Sequence, residues 1–185
     1  EMRVRLLAFV AVLLVATLLA LAWLASGAAR GPRVDGGLRF AGLKQPVQVL
    51  RDGNGIPYIF AANLPDLIRA QGFVVAQSRL FQLEAYRALA LGRLAEAIGE
   101  RGLPNDREMR RIGLKRNADR HARRLAPSAR EFLGWYAEGL NAYIGDHAED
   151  HPLELKLAGF HTAPWTVEDL VAVLHFVNLS QAANY

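Results

Sequence analysis

An α+β fold, mainly helical and preceded by one transmembrane helix, is what this 185-residue sequence predicts. Three observations carry that prediction. Residues 6–29 hold no charge, and residues 6–25 are nearly all Leu, Ala and Val. Two alternating stretches then flank Asp52-Gly-Asn-Gly55, the pattern of a hairpin. From Asn63 onward the apolar period changes from two to the helical value of about 3.6.

Composition narrows the classes. With 52% hydrophobic and 22% charged residues, the chain is neither collagen-like nor disordered. It has no cysteine, which excludes a disulfide framework, a thiolate nucleophile and a Cys-ligated zinc site. The formal net charge is +4, and of the 22 basic residues only Lys44, Lys115 and Lys156 are lysines. The others are arginines, whose planar forks pair bidentately with carboxylates and phosphates.

Residues 1–29 read as a retained signal anchor. Twenty helical residues rise about 30 Å, enough for a bilayer core. Arg3 and Arg5 precede the run, Trp23 stands at an interfacial position, and Ala25-Ser26-Gly27-Ala28-Ala29 offers the small residues of a cleavable signal peptide as the competing reading. Arg30 and Arg33 balance Arg3 and Arg5, so the positive-inside count gives no direction. Residues 30–45 form a Gly/Pro/Arg tether and entry segment, and residues 46–185 a soluble part.

That soluble part opens with strands over 46–52 and 56–61, the second carrying Pro57, which belongs at an edge or a non-bonding position. Asn63 caps the first long helix, Pro65 suits its first turn and Asp66 complements its dipole. Leu67, Ile68, Val74, Leu80, Leu83 and Leu89 recur along it until Gly92, and Gly72 marks a close approach or a break. Residues 94–98 add a turn stopped by Gly99. Helices follow over 127–144, with Phe132, Leu133, Trp135, Tyr136, Leu140 and Tyr143 on the packing side, and over 166–179, capped by Thr166. Phe73, Val74, Val75, Leu80, Phe81, Trp135, Tyr136 and Phe176 exceed what so small a set of elements can bury, which predicts an extensive apolar interface. The stop at Tyr185, directly after an apolar helix, reads as the end of a processed chain or half of a larger fold.

Residue chemistry alone finds no active site. Ser26, Ser78, Ser128, Ser180 and the threonines lack a G-x-S-x-G elbow and identifiable triad partners, so caps or surface hydroxyls are the reading for each. His147-Ala-Glu-Asp-His151 puts two histidines four apart, but Ala148 stands where a zincin has Glu and Pro152 follows at once. Between residues 101 and 130 ten basic residues face Asp106, Glu108 and Asp119, with Arg116, Arg120, Arg123 and Arg124 on one helical face. A solvated or partner-facing helix, contact with anionic headgroups, and nucleic acid remain in that order, the last without the interleaved aromatics it needs.

Five blocks carry a resemblance. Arg51-Asp-Gly-Asn-Gly-Ile-Pro-Tyr-Ile-Phe-Ala61 with Ala70-Gln-Gly-Phe-Val-Val-Ala-Gln-Ser-Arg-Leu-Phe-Gln-Leu-Glu84 comes first, then Gly92-Arg-Leu-Ala-Glu-Ala-Ile-Gly99. Tyr136-Ala-Glu-Gly-Leu-Asn-Ala-Tyr-Ile144, Leu153-Glu-Leu-Lys156 and Pro164-Trp-Thr-Val-Glu-Asp169 complete the set, in order over about residues 47–180. Together they resemble the small α chain of the penicillin acylase family, with Tyr58, Ser78 and Phe81 standing where His, Asp and Trp are common.

The resemblance implies an αββα N-terminal-nucleophile fold shared with a larger β chain of the same self-cleaving precursor. The nucleophile is then the Ser that begins the β chain, so this chain holds no catalytic residue. Its implied contribution is part of the acyl pocket, at Asn178, Gln181 and Ala182. A structural calcium would take its ligands mostly from the β chain, the α-chain Glu falling beyond Tyr185, so no metal ligand is expected here. Relatives without an anchor are periplasmic, which implies a bacterial inner-membrane protein, amino terminus cytoplasmic and catalytic domain in the periplasm. The expected partners are the β chain, membrane lipid along residues 6–25 and a small N-acyl or anilide-type amide with a hydrophobic group; nucleic acid is not expected. Alternatives on the same residues are an acyltransferase on this scaffold and a non-catalytic, membrane-tethered helical adaptor.

Overall fold

The computed structural model describes residues 2–23, 34–40, 42–147 and 152–182, which fall into two units, residues 1–34 and 35–185. In the first unit α1 (Met2–Trp23) is a helix whose apolar side chains point outward, Leu6, Phe9 and Leu19 all being exposed. Thr17 donates its hydroxyl to the Leu13 carbonyl at 2.7 Å, so its polarity is met within the helix. Among the described residues no helix is long and apolar enough to cross a membrane. The expected transmembrane helix over 6–25 is therefore not carried by them, and the small residues at 25–29 lie outside the described residues.

The second unit begins with an antiparallel hairpin, β1 (Gln48–Arg51) and β2 (Pro57–Phe60), in the register Gln48↔Phe60 to Arg51↔Pro57. Asp52 builds the turn: its Oδ1 accepts from the N–H groups of Asn54 and Ile56, both at 2.9 Å. Gly55, at φ +78°, takes the left-handed position that side chains avoid. Pro57 sits at the last register pair, where a missing N–H costs least. Val49, Leu50, Ile56, Tyr58 and Phe60 are exposed, so the hairpin packs little of its apolar surface within this chain. It is held to the helices by Arg51, whose Nη2 donates to Gln77 Oε1 at 2.6 Å.

Helix α2 (Leu64–Leu91) starts where Asn63 accepts from the Asp66 N–H at 2.9 Å and ends at Gly92, φ +63°. Asp66, fully buried, also accepts from the backbone N–H groups of Lys44 and Gln45 at 3.0 Å each, tying the entry segment to the helix start. Its helix has a kink, at Arg79 (φ −140°) and not at Gly72. Gly72 serves the other purpose: a Cβ there would collide with the Tyr136 carbonyl of α6 (Pro127–Asp146). Gly139 on α6 reciprocates, facing the Arg69 carbonyl and standing 2.9 Å from the Phe73 nitrogen for any added Cβ.

Around this crossing lies the main core, Phe73, Ala76, Leu80, Leu140, Tyr143, Ile144, Leu155 and Trp165. Phe73, Val74 and Leu80 are thus satisfied inside the chain, which corrects the expectation that they face a partner. Phe81 is exposed, as expected of an interface residue, whereas Phe132, assigned to the packing side of α6, is 40% exposed. A second core joins Ala90, Leu114, Ala118, Ala122, Val171 and Ala172.

Between the long helices run α3 (Ala95–Ile98), a 3₁₀ turn (Gly99–Gly102), α4 (Leu103–Ile112) and α5 (Leu114–Arg124). Asp106 of α4 reaches back to cap α3, accepting from Leu94 and Ala95 N–H at 2.8 and 2.9 Å. On α5 the small residues Ala118 and Ala122 let α8 (Val167–Ala182) approach, while Arg116, Arg120, Arg123 and Arg124 stay exposed, as their spacing requires. A short α7 (Leu153–Leu157) buries Leu155 under the main core.

Candidate functional site

Three blocks far apart in sequence meet in one buried polar cluster. Glu84 and Arg87, three residues apart on the distal half of α2, are 3% and 5% exposed, and Arg87 Nη2 donates to Glu84 Oε2 at 2.7 Å. The Trp165 indole Nε1 donates to the other Glu84 oxygen at 3.0 Å. Its ring lies under the Arg87 guanidinium, 4.7 Å from Cζ to the centroid. Arg87 Nη1 donates to the Ala163 carbonyl at 2.9 Å and stands 3.8 Å from Asp169. From α6, Asn141 grips the Trp165 backbone: Nδ2 donates to its carbonyl at 2.9 Å and Oδ1 accepts its N–H at 2.6 Å.

Such burial is tolerable only because each charge has a partner. Desolvation still pushes the Glu84 carboxyl up, against the opposing pull of Arg87 and the indole N–H. What the cluster does is mechanical: it fixes the chain at Pro164-Trp165, immediately before α8. There Thr166 and Asp169 close a capping box, Thr166 Oγ1 accepting from Asp169 N–H at 3.1 Å and Asp169 Oδ2 from Thr166 N–H at 3.0 Å.

From that fixed start α8 runs 16 residues, about 24 Å at 1.5 Å each. Val171 and Ala172 are buried on its inner side. Asn178, Gln181 and Ala182 are all exposed and, at i, i+3 and i+4, share a face with exposed Leu174 four residues earlier. The cluster was only half legible: Glu84, Asn141 and Trp165 stood inside recognisable blocks, but Arg87 did not. Its signal was a Glu and an Arg three apart on an otherwise apolar helix face.

The remaining candidates carry no chemistry here. Ser78 and Ser128 are exposed, Ser180 donates to the Val177 carbonyl at 2.7 Å, and Ser26 lies outside the described residues. His147 stacks on Tyr143 with ring centroids 4.3 Å apart and places Nδ1 3.0 Å from its carbonyl oxygen, whereas Glu149, Asp150 and His151 lie outside the described residues. Among the described residues no group of three His, Asp or Glu is placed to hold a metal ion. Burial pushes the hydroxyls of Tyr136 and Tyr143 up, away from phenolate chemistry.

The helical frame thus positions one helix end, beside a hairpin whose Val49, Leu50, Ile56, Tyr58 and Phe60 are left exposed. The family model for penicillin amidase matches residues 46–185, and the chain belongs to that family. It is 40% identical over 148 residues to a penicillin acylase 2 proenzyme from a Pseudomonas strain, covering 80% of this chain and 19% of that protein. It is 36% identical over 153 residues to the acyl-homoserine lactone acylase QuiP of Pseudomonas fluorescens, covering 83% of this chain and 19% of that one. Among solved structures, a thermostable penicillin G acylase from Alcaligenes faecalis aligns with a TM-score of 0.67 at 27% identity, over 76% of each chain. The chain thus spans about a fifth of the length of these two Pseudomonas relatives.

Proposed function

We propose that this chain is the α-chain part of a membrane-anchored amide hydrolase whose nucleophile is the N-terminal Ser of a β chain cut from the same precursor. The observation that carries the reading is the Glu84–Arg87–Trp165–Asn141 cluster. It spends two buried charges on aiming α8, a large investment for a helix whose far face meets nothing in this chain. In this reading Asn178, Gln181 and Ala182 form one wall of the acyl pocket and the β chain supplies the other. The hairpin's exposed Val49, Leu50, Tyr58 and Phe60 are covered by the same partner.

The chemistry follows from the nucleophile. Its hydroxyl oxygen attacks the amide carbonyl carbon, its own α-amino group takes the hydroxyl proton, and the C–N bond breaks as the amine leaves with a proton. Water then hydrolyses the ester. An α-amine of ordinary pKa about 7.7–8.0 needs little tuning to act as base near neutral pH. A structural calcium belongs, in this reading, with β-chain ligands. The uncharged, Leu/Ala/Val-rich run over residues 6–25, preceded by Arg3 and Arg5, is the sequence ground for the anchor, and the reading puts the catalytic part on the periplasmic side of an inner membrane.

Expression of the whole precursor tests this. The expected material is two associated chains, the larger beginning with Ser, that hydrolyse N-acyl amides; Ser→Ala at that position leaves the precursor uncut and inactive. Hydrolysis by the 185-residue chain alone, or none by the processed pair, overturns the proposal.

A further inference from the structure

A cleft of about 480 Å³ opens where the end of α2 meets α4 and α5. That volume is in the range of small-molecule sites, about 300–1,000 Å³. Leu91 and Met109, half-buried against the second core, give it an apolar wall. The rest of its lining is mostly cationic. Two of the cations are already matched: Arg93 binds Glu96 through two hydrogen bonds of 2.9 and 2.6 Å, and Lys115 binds Asp119 at 2.8 Å. Three are not. Arg110 donates Nε to the neutral Gly92 carbonyl at 3.0 Å, Arg116 lies against Gly113, and Arg123 is exposed. Among the described residues no carboxylate stands within ion-pair distance of these three.

Guanidiniums with no carboxylate within ion-pair distance, lining one concavity in which Arg110 also feels the Glu96 carboxylate, select an oxyanion, because each fork matches two oxygens at once. The apolar wall beside them selects an anion with an apolar portion. The surrounding stretch points the same way: Ile98, Leu103 and Ile112 are 37–43% exposed, interspersed with exposed Arg101, Arg107 and Arg111. Exposed branched apolar residues alternating with arginines suit a headgroup layer, where the one enters and the other stays at the phosphates. We propose that this cleft binds the phosphate of an anionic phospholipid headgroup, with Arg110, Arg116 and Arg123 on the oxygens and Leu91 and Met109 against its apolar part. The choice of a lipid as source rests on the proposed anchor; the choice of a phosphate does not.

The test uses the whole processed protein in nanodiscs of phosphatidylcholine, with and without phosphatidylglycerol. Arginines are modified with phenylglyoxal and each rate is read by mass spectrometry. In the anionic discs Arg116 and Arg123 are expected to react about fivefold more slowly, the effect of a surface attraction of ordinary size. Arg79, on α2, is expected to be unchanged, and added salt to remove the difference. The exposed double variant Arg116→Gln/Arg123→Gln is expected to keep its hydrolytic activity in detergent and to lose the protection of Arg110 in anionic discs. Equal rates in the two discs overturn the proposal. So does equal protection in both, which would mean that a protein face covers the cleft. Protection by glycerol phosphate in detergent, matching that in anionic discs, overturns the lipid source. Insertion into neutral discs reports the anchor separately, and no arm depends on which amide is hydrolysed.

Discussion

Trp165 donates its indole N–H to Glu84 at 3.0 Å across 81 residues of chain, and the same carboxylate holds Arg87 against the face of that indole. Removing one charge strands the other in a dry site. Glu84→Gln is therefore expected to destabilise the processed protein by about 3–5 kcal/mol, the usual cost of breaking a buried pair. Glu84→Leu combined with Arg87→Met removes both charges and is expected to recover much of that loss. Denaturant midpoints of the three variants check this. A double variant no more stable than Glu84→Gln would mean that the cluster works through packing and not through charge.

Gly72 and Gly139 place the backbones of α2 and α6 in direct contact. A methyl group at either position has no side chain to push aside, only backbone atoms of the facing helix. Gly72→Ala and Gly139→Ala should each gain helix propensity, about 1 kcal/mol, and still destabilise by about 1–3 kcal/mol net, because overpacking outweighs it. Since both act on one crossing, the double variant should cost less than the sum. Additive losses would place the two glycines in independent contacts.

Asp66 is expected to set part of the acid limit. Burial raises its carboxyl, but the N–H groups of Lys44 and Gln45, the Asn63 amide and Arg69 together outweigh that and leave it below the ordinary 3.8. The unfolded chain then binds a proton that the folded chain refuses, so this stability is present above about pH 3.8 and is lost as pH falls toward the depressed value. Asp66→Asn should lower stability at neutral pH and flatten the acid limb of a pH–denaturation profile. An unchanged slope would show that Asp66 makes no such contribution.

These sites show why part of the fold was legible and part was not. The hairpin was readable because Asp52 and Gly55 form the turn locally, within four residues. Asn63, Gly92 and Thr166 were readable for the same reason: a cap is satisfied by its own helix. The close approach at Gly72 followed from the cost of glycine in a helix, but its partner Gly139 and the kink at Arg79 depend on tertiary geometry that no local pattern encodes. Phe132 was misplaced because a helix turns apolar residues to two neighbouring faces, and only packing decides which one is covered. The α4–α5 region read as charge and not as structure, since its cores are small alanines behind a conspicuous arginine face. Arg87 escaped because a buried arginine is recognisable only by its partners.

His121 on α5 and His175 on α8 face each other, Nδ1 to Nε2 at 2.9 Å with stacked rings. One nitrogen must donate and the other accept, so the contact fails when both rings are protonated. Burial holds His175 below its ordinary 6.5, and the neighbouring His121 adds to the effect. Here too the unfolded chain takes up the proton first, so stability from this contact falls as pH drops from about 6.5 toward the depressed value. Melting temperature measured between pH 7.5 and 5 should decline less in His175→Gln than in the parent. Parallel declines would mean that the pair does not titrate in this range.

The last expectation concerns the acyl pocket proposed at the end of α8. Asn178, Gln181 and Ala182 lie on one exposed face, with Leu174 one turn earlier. Ala182 is the smallest of the set, so in the proposed pocket it leaves depth for the acyl chain where a larger residue would fill it. Each buried methylene is worth about 0.8 kcal/mol, about a fourfold step in kcat/KM if the binding is realised in the transition state. A series of N-acyl amides and anilides differing only in acyl length should therefore climb in kcat/KM, with penicillins and acyl-homoserine lactones both admissible as members. Ala182→Phe should invert the long end of that series, cutting the bulkiest acyl groups by about tenfold or more while sparing acetyl. Gln181→Ala should change all members alike if, as proposed, its polar side chain contacts the substrate amide and Ala182 the acyl tail. A flat parent series would remove the apolar pocket; an unchanged ranking in Ala182→Phe would move that pocket away from the end of α8.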